Sequence, residues 1–355
     1  MMKNIILPLL LLPLVLAGCA CPFKHSQTKA YPQNQPVQKI TDESVESAVE
    51  SLHPKRIVVI VAEPKTGKIL GITGIRAGNI THTDDAVSWF YEPGSTFKPV
   101  VVVAAIQEGK VTPKTEINCE QGAFPFGGKV IKDHQKFGDL TFDQILMKSS
   151  NIGAAKMALL LKDSVYSDYV SRFGFGEKTG IAIPGEVQGI VNPPSRWDGL
   201  TKARMAFGQS VAVTPIQLTM AYCALANGGK LMKPVIGNEK PILVRRICSQ
   251  KTADLVKNAL AKTVSDQGTA PLARVQGVTV GGKTGTSQAI TPSGKYAEDK
   301  YVTSFAGFFP VDHPKYVCVV VVDQADVKPE VNYGGLVAAP IFSEIAGKIV
   351  QSTQK

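Results

Sequence analysis

The chain is short of the groups that most hydrolases and metalloproteins rely on. It has five histidines in 355 residues and no G-x-S-x-G segment, which leaves a Ser-His-Asp hydrolase built on a nucleophile elbow without support. The histidines, His134 included, read as structural or surface residues. The six cysteines are Cys19, Cys21, Cys119, Cys223, Cys248 and Cys318, spaced as neither a metal site nor a disulfide framework. Cys223 and Cys318 fall in apolar runs and read as small buried hydrophobes. No metal and no cofactor is expected. There is no internal repeat and no basic helix, zinc spacing or aromatic RNA-binding motif, so nucleic acid is not an expected partner. The formal net charge of +10 would suit work near an anionic lipid or polymer, but the plain reading is a solvated basic surface, which we prefer. What is present is ordinary globular material, 44% hydrophobic and 19% charged, enough for one large or two medium domains.

The start of the chain reads as a secretory signal, with Lys3 ahead of an apolar stretch at residues 5–16 that is too short to span a bilayer comfortably. It ends in Leu16-Ala17-Gly18-Cys19, which resembles a bacterial lipobox. That resemblance implies cleavage before Cys19, acylation of that cysteine, and a protein tethered to a membrane on the extracytoplasmic (periplasmic) side. The expected organisation is a signal peptide at 1–18, a polar tether rich in Gln, Pro and Lys at 19–39, and a folded body at 40–351.

Within the body, Val45, Ala48, Val49 and Leu52 predict an amphipathic helix from Thr41, stopped by Pro54. Residues 57–62 and 69–72 predict two strands of a hairpin around Pro64-Lys65-Thr66-Gly67. A loop-rich stretch spans 112–140. Helices are predicted at 152–161, 216–226, 252–264 and 336–350, and strands at 277–287, 302–309 and 316–323. Two early and three late strands imply one sheet assembled from both ends, with helices covering both faces.

The chain is organised around Tyr91-Glu92-Pro93-Gly94-Ser95-Thr96-Phe97-Lys98-Pro99, where a turn runs into an apolar helix. Residues three apart share a helix face, so Lys98 can reach Ser95. A serine hydroxyl needs such a base to be nucleophilic, and free N–H groups at the helix start favour a developing oxyanion. S-x-x-K alone is common; Ser26-Gln27-Thr28-Lys29 matches it in a polar tail. Two later motifs sharpen the signal, Ser149-Ser150-Asn151 ahead of a helix and Lys283-Thr284-Gly285-Thr286 on a predicted strand. The other K-T-G copies, Lys65-Thr66-Gly67 and Lys178-Thr179-Gly180, read as turns. Residues 277–284 also fit the spacing G-x-x-x-x-G-K-[ST], but a P-loop needs a helix opening at the lysine and this one lies on a strand.

In this order, S-x-x-K, S-x-N and K-T-G resemble the signature of the penicillin-interacting serine enzymes. The segments 63–71, 91–99, 148–153, 173–185, 207–229, 282–288 and 303–323, with Tyr333-Gly334-Gly335 and Ala338-Ala339-Pro340, are similar to class B penicillin-binding protein transpeptidases over about residues 40–350. The resemblance implies an α/β (α+β) fold: a five-stranded antiparallel sheet covered by helices on both faces, plus an all-helical subdomain, with the active site between them. It implies Ser95 as acylated nucleophile and Lys98 as its base. Ser149 would relay a proton to the leaving D-alanine, and Asn151 would orient the substrate amide. Lys283 would support the proton network. Thr284 and Thr286, with Gly285 between them, would receive the terminal carboxylate, and the N–H groups of Ser95 and Thr286 would form the oxyanion hole. Burial and a nearby Lys283 would both lower the Lys98 pKa.

The substrates so implied are peptidoglycan stem peptides, a D-Ala-D-Ala donor and an amine acceptor, with β-lactams as covalent inhibitors; protein partners are not identified. The expected organisation departs from the class B pattern: a short tether in place of the usual N-terminal pedestal domain, no glycosyltransferase region, and a lipid anchor in place of the family's usual spanning helix. The competing readings are a D,D-carboxypeptidase or serine β-lactamase on the same fold, and a non-enzymatic β-lactam-binding sensor or scaffold.

Overall fold

The computed structural model describes residues 35–76, 79–80, 84–291 and 294–353. The expected signal peptide, Cys19 and the tether up to residue 34 lie outside the described residues.

Helix α1 spans Gln35–Leu52, so residues 35–39 form its first turn and not the end of a tether. Polar residues on the buried face hide this start from a hydrophobic pattern. Gln38 lies flat against the sheet, its Oε1 accepting from Ile72 N (3.0 Å) and its Nε2 donating to Ile72 O (3.1 Å). Thr41 and Ser44 are buried beside it. Strands β1 (Arg56–Glu63) and β2 (Lys68–Arg76) form the expected hairpin, with Lys65-Thr66-Gly67 in its turn. A two-residue strand β3 (Asn79–Ile80) and a short helix α2 (Asp84–Ser88) follow.

Residues Gly94–Phe97 make one turn of 3-10 helix that runs straight into α3 (Lys98–Gln107). Four consecutive valines give α3 little intrinsic helix propensity. Burial supplies what propensity lacks, because every residue from Lys98 to Ala105 is buried.

The stretch expected to be loop-rich contains two small ribbons. Strand β4 (Glu116–Asn118) pairs with β7 (Asp139–Thr141), and β5 (Ala123–Phe126) with β6 (Lys129–Lys132). Helices α4 (Phe142–Lys148), α5 (Asn151–Leu159), α6 (Asp163–Arg172) and α7 (Thr201–Met205) complete this region, which is therefore helical with ribbons rather than all-helical. Helix α8 (Pro215–Ala226) starts on a capping box between Thr214 and Gln217. A ribbon of β8 (Lys230–Met232) and β9 (Leu243–Arg246) leads to α9 (Gln250–Lys262). Strands β10 (Gly281–Ile290), β11 (Tyr296–Phe309) and β12 (Tyr316–Asp323) precede the last helix, α10 (Ala338–Thr353). Residues 277–280, expected in a strand, lie in a loop: Gly277 has φ +80° and a bridge between Val275 and Val278 closes a tight turn there.

The five long strands form one antiparallel sheet in the order β10-β11-β12-β1-β2, with β3 as a minimal sixth at the edge. The two ends of the chain meet at its centre, where Ile57 pairs with Val322 and Val61 with Cys318. Side chains alternate faces along a strand, so the continuous apolar runs feed two cores. Val58, Ile60, Val319 and Val321 face α8, in one core with residues of α3 and α9. Ile57, Val59, Val320 and Val322 pack with α1 and α10.

On the second face Phe342 of α10 meets Phe305 edge-on at 4.7 Å and Phe309 at 5.8 Å between ring centroids. Gly307 leaves room for it, since a Cβ there would sit 3.0 Å from the Phe342 ring. Phe342→Ala is expected to lower unfolding stability by about 3–5 kcal/mol, measured by urea denaturation. A loss below about 1 kcal/mol would mean that the ring does not anchor α10.

Candidate active site

Three elements bring the motif residues together. The 3-10 turn carries Ser95, the junction of α4 and α5 carries Ser149 and Asn151, and the edge strand β10 carries residues 283–286. Lys98, at the start of α3, lies between them. Its Nζ is 2.5 Å from Ser95 Oγ, 2.7 Å from Asn151 Oδ1, and 3.1 and 3.2 Å from the backbone O and the Oγ of Ser149. Ser149 Oγ is in turn 2.9 Å from Ser95 Oγ. An ammonium has three protons to give and no lone pair. A neutral amine can donate to Asn151 Oδ1 and the Ser149 carbonyl and still accept the Ser95 hydroxyl proton.

Lys98 is fully buried, and burial lowers its pKa from 10.5 to about 7, partly offset by the Asp133 carboxylate. Lys283 is also fully buried and its pKa lies well below the ordinary lysine value, first through burial and then through repulsion by Lys98. The repulsion expected from the sequence therefore falls chiefly on Lys283, and burial alone dominates at Lys98. Lys283 Nζ reaches only Thr284 O and Oγ1, both at 3.3 Å. Among the described residues it makes no hydrogen bond to Ser149 or Lys98, so the structure does not join it directly to the serine–lysine cluster.

The junction that presents Ser149 has a local cause. Ser150, not Ser149, caps α5, accepting from Gly153 N at 2.9 Å. Ser149 closes α4 in the left-handed region (φ 59°, ψ 37°), which turns its hydroxyl to Ser95. Such a conformation costs a non-glycine residue on the order of 1 kcal/mol. Asp133, which carried no motif in the sequence, stabilises it from below. Its carboxylate accepts from Asn151 N (2.5 Å), Ile152 N (3.1 Å) and Ser150 Oγ (2.7 Å). Asn151 Nδ2 donates to Lys132 O at 3.0 Å, which fixes the amide with Oδ1 toward Lys98.

The Ser95 turn lies against the edge of β10. Gly94 has φ +54°, and a Cβ on it would sit 2.9 Å from Thr286 O and 3.3 Å from Thr286 N. The Thr286 backbone therefore faces the turn, beside the first free N–H groups of the 3-10 helix. Behind the turn Gly208, at φ +79°, comes so close that a Cβ would lie 2.0 Å from Gly94 O. Thr286 Oγ1 accepts from Gly334 N (3.1 Å), and Thr284 Oγ1 donates to Thr269 Oγ1 (3.1 Å).

Ser95, Ser149, Asn151, Thr284 and Thr286 line one cleft of about 700 Å³. His134 stands exposed in its wall, with its pKa lowered by burial and by Lys98, Lys283 and Lys148. It is exposed, in keeping with its reading as a surface residue, yet it borders the cleft, which its sequence context does not indicate. Tyr333 and Leu272 form an apolar rim that the sequence did not reveal either. No acidic residue lines the cleft among the described residues. Glu177, the acid nearest in sequence to the Gly-rich loop, pairs instead with Arg245 (2.6 Å) and Ser171 (3.0 Å) beside a different pocket. Lys283 sits mid-strand with no helix opening after it, which removes the P-loop reading.

The family profile of the penicillin binding protein transpeptidase domain matches residues 57–347. The chain belongs to that family. It is 35% identical over 334 residues to Stage V sporulation protein D of Bacillus subtilis (strain 168), covering 87% of this chain and 51% of that protein. It is 30% identical over 304 residues to Peptidoglycan D,D-transpeptidase FtsI of Escherichia coli (strain K12), covering 82% and 51%. The chain thus spans about half the length of the relatives it matches. Among solved structures, the apo transpeptidase domain of Burkholderia pseudomallei penicillin-binding protein 3 superposes with a TM-score of 0.84 at 32% identity, covering 91% of this chain and 96% of that one. Penicillin-binding protein 3 of Mycobacterium tuberculosis complexed with aztreonam gives 0.81 at 30% identity, covering 90% and 77%. The fold is that of these transpeptidase structures.

The lysine geometry has a signed pH consequence. Only the free amine has a lone pair to accept a proton from Ser95, and its fraction grows as pH rises through the folded pKa. Acylation by benzylpenicillin is therefore expected to accelerate with pH, with a midpoint near 7. A rate that is flat between about pH 6 and about pH 8 would contradict a lysine base in this role.

Proposed function

We propose that this chain is a serine D,D-transpeptidase that cross-links peptidoglycan stem peptides through an acyl-enzyme on Ser95. The observation that carries the reading is the contact of the Ser95 hydroxyl with a buried, low-pKa amine at 2.5 Å and with a second hydroxyl at 2.9 Å. Family membership and relatives named peptidoglycan D,D-transpeptidase support the substrate class.

In the reaction, Ser95 Oγ attacks the carbonyl carbon between the two D-alanines and its proton passes to Lys98 Nζ. The N–H groups of Ser95 and Thr286 hold the oxyanion. As the C–N bond breaks, Ser149 delivers a proton to the leaving D-alanine amine and is replenished from Lys98. An acceptor amine then attacks the ester, loses its proton to the same relay, and frees Ser95. Asn151 orients the donor amide, and Thr284 and Thr286, on either side of Gly285, receive the donor's terminal carboxylate. Lys283 keeps that end of the cleft electropositive whenever it carries a proton.

A hydrolase needs a base placed for water, and no carboxylate lines this cleft among the described residues. That favours aminolysis over a β-lactamase. Penicillin is expected to label Ser95, found by peptide mapping, and the adduct to persist for many minutes. Lys98→Ala should slow acylation by at least about a hundredfold. Rapid penicillin turnover, with no exchange of D-alanine into a D-Ala-D-Ala peptide or thioester donor, would instead identify a lactamase.

We also propose an extracytoplasmic location with acylation at Cys19, supported by the lipobox-like Leu16-Ala17-Gly18-Cys19 and by a substrate found outside the cytoplasm. The proposed division is a signal peptide, a tether and one catalytic domain to about residue 351. Cys19→Ala should release the protein from the membrane fraction or leave an unprocessed precursor. A variant matured and retained like the parent would rule out the anchor.

A further inference from the structure

Three carboxylates are buried among the described residues. Asp85 pairs with Arg56 and Arg76, and Asp323 lies near Arg56 and Lys55. Glu92 is different. It is 8% exposed, makes no salt bridge, and is held by neutral donors: Ser210 N at 2.8 Å on Oε1 and the Tyr296 hydroxyl at 3.0 Å on Oε2. Arg204 is the one cation that acts on it, from a distance. Glu92 lies three residues before Ser95, and the acyl transfer above does not use it.

Its two partners sit on opposite sides of the Ser95 turn. On one side the β10–β11 hairpin runs past the end of the sheet: β12 stops at Asp323 opposite Val302, while β11 begins at Tyr296. The hairpin tip has no neighbouring strand there, and its register against β10 shifts after Gln288. On the other side, Ser210 is held at φ +60°, a strained value for a serine, with its N–H on the Glu92 carboxyl. The Glu92 backbone joins the same two sides. Its carbonyl accepts from Ser287 Oγ of β10 at 2.7 Å, and its neighbours Tyr91 and Gly94 bond Val213 and Gly208.

We propose that Glu92 is a positioning residue that sets the gap between the Ser95 turn and the Thr286 edge. It does so by latching the hairpin tip, through Tyr296, to the 207–213 segment, through Ser210. The proposal rests on the reading of Ser95 as nucleophile and of the Ser95 and Thr286 N–H groups as the oxyanion donors. A gap of the wrong width weakens those donors only once charge has developed on the oxygen, so the loss belongs to the acylation step and not to prior binding.

The test is a time course of penicillin acylation over a range of penicillin concentrations, which separates the limiting acylation rate from the half-saturating concentration, with thermal midpoints taken in parallel. A parent protein that is not acylated at Ser95 overturns the functional reading itself. With an acylated parent, Glu92→Ala should lower the limiting rate by at least about tenfold at nearly unchanged half-saturation. Glu92→Gln keeps an acceptor for Ser210 N and a partner for Tyr296, and should stay within about threefold of the parent. Tyr296→Phe removes one hydroxyl from a ring that is 49% exposed, so it tests the hairpin arm even where Glu92→Ala fails to fold; a drop of about threefold or more in limiting rate is expected. The latch is wrong under any of three outcomes: Tyr296→Phe acylates at the parental limiting rate, Glu92→Gln is as slow as Glu92→Ala, or the losses fall on half-saturation.

Discussion

Everything at this site depends on holding the Lys98 amine out of water without giving it a carboxylate partner. A lysine at 0% exposure with a pKa of about 7 has lost most of the solvation that keeps it charged. The folded chain binds that proton more weakly than the unfolded chain does. Between the two pKa values stability therefore rises with pH, and the full penalty is present below about 7. At neutral pH the cost is about 4 kcal/mol, a sizeable part of what a domain has to spare. The packing of α3 among α5, α6 and α9 offsets it. Tyr222 of α8 fixes the turn just before Lys98, donating from its hydroxyl to Thr96 O at 3.0 Å. Asp133 limits the shift by charge while bonding the first N–H groups of α5. The same carboxylate thus tunes the base and fixes the loop that carries Ser149 and Asn151.

The second constraint is clearance. For the proposed oxyanion hole the Ser95 turn must lie close to the β10 edge, and side chains would stand in the way. Gly94 and Gly208 remove them, both in the left-handed region and both within contact of the neighbouring backbone. An alanine at 208 would meet the Gly94 carbonyl directly, so this residue is specified by the shape of the turn it supports and not by chemistry of its own.

Much of this was legible in the sequence, for an identifiable reason. Ser95 and Lys98 are three apart at a helix start, and Thr284 and Thr286 are two apart on a strand, so spacing alone puts each pair on one face, whereas Ser149 and Asn151 were legible only as a motif because they meet at a left-handed junction. The strands were legible because the central ones are buried on both faces and read as unbroken Val-rich runs. What escaped acts across long separations or through polar atoms. Asp133 reaches α5 from eighteen residues away, and His134 enters the cleft only because β6 and α5 lie side by side. The start of α1 was hidden because its inward residues are polar: Gln38 and Thr41 bond strand β2 and Ser44 bonds Glu344 of α10, contacts that no periodicity scan detects. Residues 277–280 look like a strand until Gly277 is found at φ +80°.

Neutralising the base by burial also limits what the site can do next. A lysine whose pKa is lowered by exclusion of water sits beside a cleft that, among the described residues, no carboxylate lines. The acceptor that can react there is one that brings its own nucleophilic lone pair, an amine, and needs only a place to leave its proton. In the mechanism proposed above, the relay of Ser149 and Lys98, freed of the first proton when D-alanine departs, would be that place. In the mechanism proposed above, the burial that readies Ser95 to attack an amide at neutral pH also favours an amine over water at its ester. On that reading, selectivity between transfer and hydrolysis draws on the electrostatics of burial.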